Sequence, residues 1–223
     1  MGGRGASSGF GSGVTTGTRG SGGQFYDRTG QYSGMTLHEF ENAIRDKSTE
    51  YIGLFDAKGQ LIVAGTSGQT GAVAVPTEHP RFGEAVILTH NHPSDGTRGI
   101  GGTFSEADVK NHAWLALQGK AALQQTRAVA SGKGENTYIL RNRSDASPMN
   151  LLVTARGIEN TGKMAKTGKS VVTKVEDAVY KKYGRHLSDT AHNSVYLGGM
   201  KRVWKDETGK AGYDYVEVKK ARW

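Results

Sequence analysis

A short apolar run that ends in two histidines and a proline constrains this chain more than any other feature. Residues 85–88 are apolar, and His90 and His92 close the run immediately before Pro93. In an extended strand, residues i and i+2 point to the same face, so the two imidazoles can converge on one metal ion. Pro93 has no amide donor and favours extended geometry at the residue before it, so we expect the strand to end at His92.

A helix start further along the chain offers a third ligand. Ser105 is a favourable N-cap, and it puts Asp108 at the third helical position, where an anionic side chain is stabilised. Two histidines and one carboxylate leave the fourth position of a tetrahedral zinc ion open for water, as in catalytic zinc sites. The sequence therefore predicts one Zn²⁺ per chain, bound by His90, His92 and Asp108.

These two segments resemble the signature of a known family. Residues 90–94 read His-x-His-Pro-Ser and residues 105–108 read Ser-x-x-Asp, a combination similar to the JAMM (MPN+/JAB) zinc metalloprotease motif. The family includes deubiquitinase-like isopeptidases and the bacterial RadC-like proteins. The resemblance implies the same three zinc ligands, and it implies that Ser105 donates a hydrogen bond to the oxyanion of the tetrahedral intermediate.

The family also carries a glutamate at the start of an upstream strand, where it activates the attacking water. Glu50 stands directly before residues 51–55, a segment similar to that strand, so the resemblance makes Glu50 the general base and acid. Three other glutamates, Glu39, Glu78 and Glu84, are alternatives for this role. Glu50 and Ser105 are thus the predicted catalytic residues.

The chain departs from the family pattern in the spacer between the second histidine and the aspartate. Family members have a shorter spacer, whereas residues 95–103 include four glycines and look like an insertion. Because loop closure costs little more entropy per added residue, we expect this insertion to bulge outward and leave the ligand geometry intact. The resemblance covers residues 35–145.

The helix that carries Asp108 raises a second question, the role of His112. His112 follows Asp108 by one helical turn, so it could approach the metal or orient the carboxylate. Alternatively, it lies on the exposed surface of the helix, which is the ordinary position of such a histidine. On the same helix, Ala113 and Leu117 are expected to face the sheet.

Composition narrows the classes of protein that are compatible with this chain. It has no cysteine, so disulfide frameworks and thiolate metal sites are excluded, and any zinc must be bound by His, Asp or Glu. A cytoplasmic setting fits this composition. No apolar stretch approaches the length needed to span a bilayer, and the N-terminus lacks the apolar core of a signal peptide. We expect no membrane association.

Charge and glycine content divide the chain into three parts. Residues 1–34 contain 12 glycines and few apolar residues, so a flexible tail or linker, or the junction to a larger polypeptide, is expected. Residues 35–147 form the predicted JAB/MPN-like domain. Residues 148–223 form a basic extension, because residues 151–223 alone carry 15 Lys and Arg against 8 Asp and Glu. Such a surface can bind nucleic acid or an acidic partner, or be only a solvated helical face.

Hydrophobic periodicity predicts an α/β domain with a mixed, largely antiparallel sheet flanked by helices. This architecture agrees with the JAB/MPN-like and cytidine-deaminase-like fold that the resemblance implies. The predicted helices span residues 35–47, 105–118 and 170–183. The predicted strands span residues 50–55, 60–66, 72–75, 84–90, 124–131, 137–143 and 213–218.

Three functions from different classes remain open at this point. The first is a zinc peptidase or isopeptidase, from a bacterium or a mobile element, that cleaves a polypeptide or a ubiquitin-like conjugate. The second is a RadC-like protein whose basic C-terminal part contacts nucleic acid. The third is a non-catalytic phage or mobile-element assembly module that has kept the fold. The metal motif favours the first.

Overall fold

The computed structural model describes residues 24–93, 102–131, 136–155, 181–182 and 189–219. The strands are β1 (Tyr26–Asp27), β2 (Tyr51–Phe55), β3 (Leu61–Thr66), β4 (Ile87–His92), β5 (Gln125–Ala130), β6 (Asn136–Asn142) and β7 (Tyr213–Lys219). The helices are α1 (Thr29–Tyr32), α2 (Leu37–Arg45), α3 (Glu106–Leu117), α4 (148–155) and α5 (Asp189–Lys210), and a 3₁₀ turn covers Phe82–Glu84.

One mixed sheet organises the described residues. Its seven strands have the order β1-β3-β2-β4-β5-β6-β7, which puts the histidine strand β4 at the centre. β4 and β5 run parallel, and every other neighbouring pair is antiparallel. The predicted α/β class with a mixed, largely antiparallel sheet is confirmed.

Strand β4 presents alternate residues to two helical layers. Leu88 packs in a cluster with Leu115 of α3, whereas Ile87 packs on the opposite face against the cluster that includes α2. His90 and His92 share the face of Leu88 because side chains alternate along a strand. Both histidines therefore point toward α3.

The buried clusters show which helices cover each face. α1 and α2 cover one face of β2, β3 and β4 through a cluster of Tyr32, Phe40, Ile44, Phe55 and Ala64. α3, α4 and α5 cover the other face, over β5, β6 and β7. Their shared cluster includes Val109, Ala113, Ala128, Ala130, Tyr138, Leu140, Leu151, Leu152, Trp204 and Tyr213. The protein is thus a three-layer α/β/α structure.

A buried ion pair joins α2 to the two parallel strands. Glu41 is 3% exposed and its carboxylate accepts hydrogen bonds from the Arg127 guanidinium of β5 at 2.6 and 3.1 Å. The Thr89 hydroxyl of β4 donates to the same carboxylate at 3.0 Å. A buried carboxylate is tolerated when its charge and lone pairs are matched in this way. This contact fixes α2 across the β4–β5 junction.

Two of the predicted helices begin with capping boxes, and the cap at Ser105 is the predicted one. Helix α2 begins with a capping box, in which the Thr36 side chain accepts from the Glu39 amide and the Glu39 side chain accepts from the Thr36 amide. Helix α3 begins with an equivalent box between Ser105 and Asp108. β4 ends at His92, as expected from Pro93.

The prediction of a strand at residues 72–75 is wrong. No strand forms there, and the Ala74 amide donates to the Ser67 side chain at 3.0 Å instead of joining a ladder. In an antiparallel meander this segment would pair with the outer edge of β3, but β1 occupies that edge at Gly65 and Thr66. The third antiparallel strand of this part of the sheet is β4.

The predicted bounds of the histidine strand also need correction. Glu84 lies in the 3₁₀ turn rather than in the strand, since the Ala85 amide donates to the Phe82 carbonyl at 3.1 Å. The strand then runs from Ile87 to His92. Both histidines are therefore inside the hydrogen-bonded ladder, where their directions are fixed.

Leu117 does not face the sheet as expected. It is 40% exposed, whereas Leu115 is 2% exposed and belongs to the core. Asp108 sets the orientation of α3 by pointing at β4, and a residue nine positions later lies about half a turn away on the opposite side. Ala113 is fully buried, as predicted.

The two terminal parts contribute to the sheet. Tyr26–Asp27 pairs with the end of β3, although composition assigns residues up to 34 to a flexible tail. Aromatic residues account for the difference, because Tyr32 is buried against Phe40 at a centroid distance of 5.1 Å. At the other end, Tyr213–Lys219 pairs with β6 along its whole length, close to the predicted strand at residues 213–218.

Other predictions fall outside the described residues. These are residues 1–23 of the predicted flexible tail, residues 95–101 of the spacer that is expected to bulge outward, and most of the helix at residues 170–183. Residues 181–182 of that helix are helical. None of the helices in the described part of the chain combines the length and apolar character that a membrane crossing requires.

Replacing Arg127 with methionine tests the buried ion pair. The change leaves the Glu41 carboxylate buried without its cation, so we expect the free energy of unfolding to fall by about 3–5 kcal/mol. Arg141→Met is the matched control, because Arg141 lies on the neighbouring strand in an exposed pair with Asp214 at 3.0 Å. That control should cost about 1 kcal/mol or less. Urea denaturation at pH 7 measures both, and equal losses would contradict the assignment.

Candidate metal centre

Three side chains converge at the end of β4. His90 Nε2 lies 2.9 Å from His92 Nε2 and 3.1 Å from Asp108 Oδ1. His92 Nε2 lies 3.3 Å from Asp108 Oδ2. Ligand atoms about 2.1 Å from a tetrahedral ion are about 3.4 Å from one another, so these separations are close to those of a chelating site. Among the described residues, this trio is the group of His and carboxylate side chains able to bind a metal ion.

Local structure fixes the direction of the carboxylate. Asp108 occupies the third position of α3, and its Oδ2 accepts from the Ser105 amide at 2.7 Å and from the Ser105 hydroxyl at 2.9 Å. The Ser105 hydroxyl in turn accepts from the Asp108 amide at 3.3 Å. Oδ1 faces His90. The capping box therefore caps the N-terminus of α3, and the same hydrogen bonds aim the Asp108 carboxylate at β4.

The two histidines differ in what their second nitrogen contacts. His92 Nδ1 donates to the Gly102 carbonyl at 3.0 Å, which leaves Nε2 as the free lone pair of the neutral ring. His90 Nδ1 is buried and has no hydrogen-bond partner among the described residues. Both rings direct Nε2 at the carboxylate. The donor set suits an ion that accepts two imidazoles and a carboxylate.

The electrostatics of the cluster favour a positive charge at its centre. Burial alone would lower the pKa of His92, but the hydrogen bond and charge of Asp108, together with the charge of Glu50, raise it to about 9. Burial would likewise raise the pKa of Asp108, yet His90 and His92 hold it well below its usual range. A cation between these groups is stabilised by the same charges.

Strand register brings Glu50 beside the histidines. Ile52 of β2 is the Cα partner of His90, so Glu50, two residues earlier, lies across from His92 and on the same face. Glu50 is 8% exposed, and its charge acts on the pKa of His92. The predicted base and two of the predicted ligands therefore share one corner of the sheet.

The backbone on both sides of Glu50 is held by hydrogen bonds. The Glu50 amide donates to the Gln69 carbonyl at 2.7 Å, and the Glu50 carbonyl accepts from the Thr66 hydroxyl at 2.5 Å. The next amide, of Tyr51, donates to the Asn91 side chain at 2.7 Å. These bonds fix the backbone of Glu50 relative to β4.

Asn91 is a contributor that the sequence pattern did not reveal. It is fully buried on the face opposite the histidines, and its amide nitrogen donates to the carbonyls of Lys47 and Thr49 at 3.4 and 3.2 Å. Asn91 thus links the segment before β2 to the strand that carries the ligands. A polar residue in a buried strand must find hydrogen bonds, which is the signal that could have identified it.

Two of the alternative glutamates have other roles. Glu39 closes the capping box of α2, and its pKa is lowered by the backbone and side chain of Thr36. Glu84 pairs with Arg81 at 2.7 Å on the surface. Glu50 alone of these three influences the pKa of His92.

His112 is buried, so the expectation of a surface histidine is wrong. Its Nδ1 lies 2.8 Å from the Thr126 hydroxyl of β5 and its Nε2 lies 2.9 Å from the Asn142 side chain of β6. Burial lowers the pKa of His112 to about 4 despite the opposing hydrogen bond from Asn142. His112 is therefore a neutral ring that joins α3 to the sheet, and both its nitrogens are engaged away from the three-residue cluster.

Comparison of the chain with protein-family models, curated proteins and solved structures found no match in any of the three. The geometry of His90, His92 and Asp108 is thus what the JAMM resemblance rests on.

Metal analysis tests the centre directly. We expect about one zinc per wild-type chain, and none in His90→Ala/His92→Ala or in Asp108→Asn, which keeps the side-chain size. His38→Gln is the matched control, because His38 is an exposed histidine on α2. Elemental analysis after loading with zinc and gel filtration gives the stoichiometry. Absence of zinc from the wild-type chain, even after refolding with added metal, would leave only a hydrogen-bonded His–Asp–His cluster.

The pH dependence of stability tests the buried state of His112. The unfolded chain protonates this histidine near its usual pKa of about 6.5, whereas the folded chain resists until about pH 4. Folded stability should therefore fall as the pH drops through this window, and the wild type should lose about 2 kcal/mol more than His112→Gln between pH 7 and pH 5. Denaturant titrations with a chelator present measure this difference, with His38→Gln as control. Parallel pH profiles for wild type and His112→Gln would contradict it.

Proposed function

We propose that this chain is a zinc-dependent peptidase or isopeptidase of the JAMM type, which hydrolyses an amide bond in a polypeptide or a ubiquitin-like conjugate. The observation that carries the proposal is the convergence of His90 Nε2, His92 Nε2 and an Asp108 oxygen within hydrogen-bonding distance, next to Glu50. Two imidazoles and one carboxylate are the ligand set of hydrolytic zinc sites with an open position.

The donors fit such an ion in number, chemical type and tautomer. Catalytic zinc sites use sets of three protein ligands such as two His nitrogens and one carboxylate oxygen, and the bond from His92 Nδ1 to Gly102 leaves Nε2 available as a ligand. A zinc ion bound there supplies a Lewis acid that polarises the scissile carbonyl and lowers the pKa of water toward neutrality. Proton transfer and stabilisation of the oxyanion are then carried out by side chains of the protein.

Glu50 is the proposed proton carrier. Its carboxylate takes a proton from the attacking water as the new carbon–oxygen bond forms, and delivers that proton to the leaving amine nitrogen as the carbon–nitrogen bond breaks. Hydrogen bonds with Gln69, Thr66 and Asn91 hold the backbone around Glu50, so the segment that carries the carboxylate is fixed before substrate binds. The burial of Glu50 limits competing contact with bulk water.

Ser105 has two proposed functions. Its hydroxyl orients Asp108 through the bond to Oδ2 at 2.9 Å, and it is also our candidate donor to the oxyanion of the tetrahedral intermediate. The second role requires the hydroxyl to turn from Asp108 toward substrate. The Ser105 amide, which already donates to Asp108 at 2.7 Å, would keep the carboxylate in place during that rotation.

The Glu50→Gln variant tests the proposal. It preserves size and leaves the three ligands untouched, so it should bind zinc like the wild type and lose about 10²- to 10⁴-fold in turnover of peptide and isopeptide substrates. Glu84→Gln is the matched control and should keep full turnover, because Glu84 pairs with Arg81 on the surface. Zinc content and product formation are measured on the same preparations.

The outcomes separate the three functions considered from the sequence. Normal turnover by Glu50→Gln would show that Glu50 is not the base. Stoichiometric zinc without hydrolysis of any peptide or conjugate by the wild type would favour a binding or assembly module. Salt-dependent DNA binding by that same inactive wild type would favour the RadC-like alternative.

A further inference from the structure

The segment that leads into α3 is attached to the C-terminal part of the chain. The Thr103 hydroxyl and the Tyr215 hydroxyl of β7 share a hydrogen bond at 2.5 Å. The Phe104 carbonyl accepts from the Trp204 indole nitrogen of α5 at 2.9 Å, and Trp204 is 1% exposed. Two consecutive residues before the N-cap are therefore bound by side chains from α5 and β7.

The same segment touches the metal centre at both ends. The Gly102 carbonyl accepts from His92 Nδ1, and Ser105 holds Asp108 through the capping box. Residues 102–105 have no regular secondary structure of their own. Between those two ends, the segment is held by the bonds made by Thr103 and Phe104.

Ring packing stiffens the attachment. Tyr215 lies edge-on to Phe104 at a centroid distance of 6.1 Å and stacks on Tyr138 of β6 at 6.1 Å. Lys201 of α5 lies over the Tyr138 ring at 5.0 Å and pairs with Glu217 at 2.7 Å. The Tyr215 hydroxyl is consequently presented to Thr103 by a packed surface rather than by a loose side chain.

We propose that Tyr215 and Trp204 are positioning residues of the metal centre, so that α5 and β7 complete a site whose ligands all lie in residues 90–108. Tyr215 acts on Thr103, and Trp204 acts on Phe104. Together they hold the Gly102 carbonyl against His92 and hold Ser105 against Asp108. The inference rests on the proposed zinc function, and it gives the C-terminal part of the chain a role in that site.

Tyr215→Phe is the decisive variant, because it removes one hydroxyl and keeps the packed ring. Tyr213→Phe is the matched control on the same strand and face, since the buried Tyr213 hydroxyl has no hydrogen-bond partner among the described residues. Thr103→Val removes the other half of the bond, and Thr103→Ser retains it. Zinc affinity is measured by competition with a chromophoric chelator, and amide hydrogen exchange of residues 102–105 is measured on the metal-free chains.

We expect Tyr215→Phe and Thr103→Val each to weaken zinc binding about tenfold, as loss of an outer-shell partner does, and to speed exchange in residues 102–105. The double variant should be no weaker than either single variant, because both remove the same bond. Tyr213→Phe and Thr103→Ser should match the wild type in both measurements.

Zinc binding by Tyr215→Phe as tight as that by Tyr213→Phe, with the wild type binding zinc normally, would overturn this inference and leave the proposed function intact. Failure of the wild type to bind zinc would instead overturn the proposed function and, with it, any role for Tyr215 in metal binding. Faster exchange without a change in affinity would also count against the inference, because the segment would then be held without consequence for the ligands.

Discussion

The largely buried carboxylate of Asp108, whose side chain is 15% exposed, is the group around which the rest of this structure is arranged. An anion in the interior is costly unless charge and hydrogen bonds compensate it, and Asp108 receives both from two imidazoles, one amide and one hydroxyl. The imidazoles require β4 at the centre of the sheet, and the amide and hydroxyl require α3 to begin at Ser105. Ala128 and Ala130, the small β5 partners of His90 and His92, leave room for this contact. The contacts of Asp108 therefore determine both the packing of α3 on β4 and the geometry of the candidate metal site.

Strand β4 contacts the helices on both faces of the sheet. Its histidines face α3, while Thr89 binds Glu41 of α2 and Asn91 binds the segment before β2. The second set of contacts has no direct part in binding a cation. It aligns β2 with β4, and that alignment brings Glu50 across from His92. Residues on the far side of the sheet thus determine the position of Glu50 relative to the two histidines.

Local signals in the sequence were sufficient for much of this arrangement. The spacing of His90 and His92, the stop at Pro93 and the cap at Ser105 depend only on neighbouring residues, and the structure has them as predicted. Prediction from the sequence pattern failed where contacts with residues far along the chain determine whether a strand forms or a side chain is buried. Residues 72–75 have strand-like composition but no edge to join, and His112 is buried because Thr126 and Asn142 meet it from two other strands. The contacts of Tyr215 and Trp204 with residues 103–104 join residues about half the chain length apart. Hydrophobic periodicity within a segment cannot predict such long-range contacts.

The alternation of polar residues along β4 also has a consequence for folding. A slip of one residue in this strand would turn Asn91 toward α3 and both histidines toward α2, because the side-chain period of a strand is two. The slipped sheet would bury imidazoles beside Arg45 and Arg127 and would leave Asp108 without compensation. Only the correct register brings His90, His92 and Asp108 together, so a cation bound by all three would favour that register among the compact states of the chain. Cation binding by this cluster would thus be coupled to correct strand pairing in the sheet that carries it.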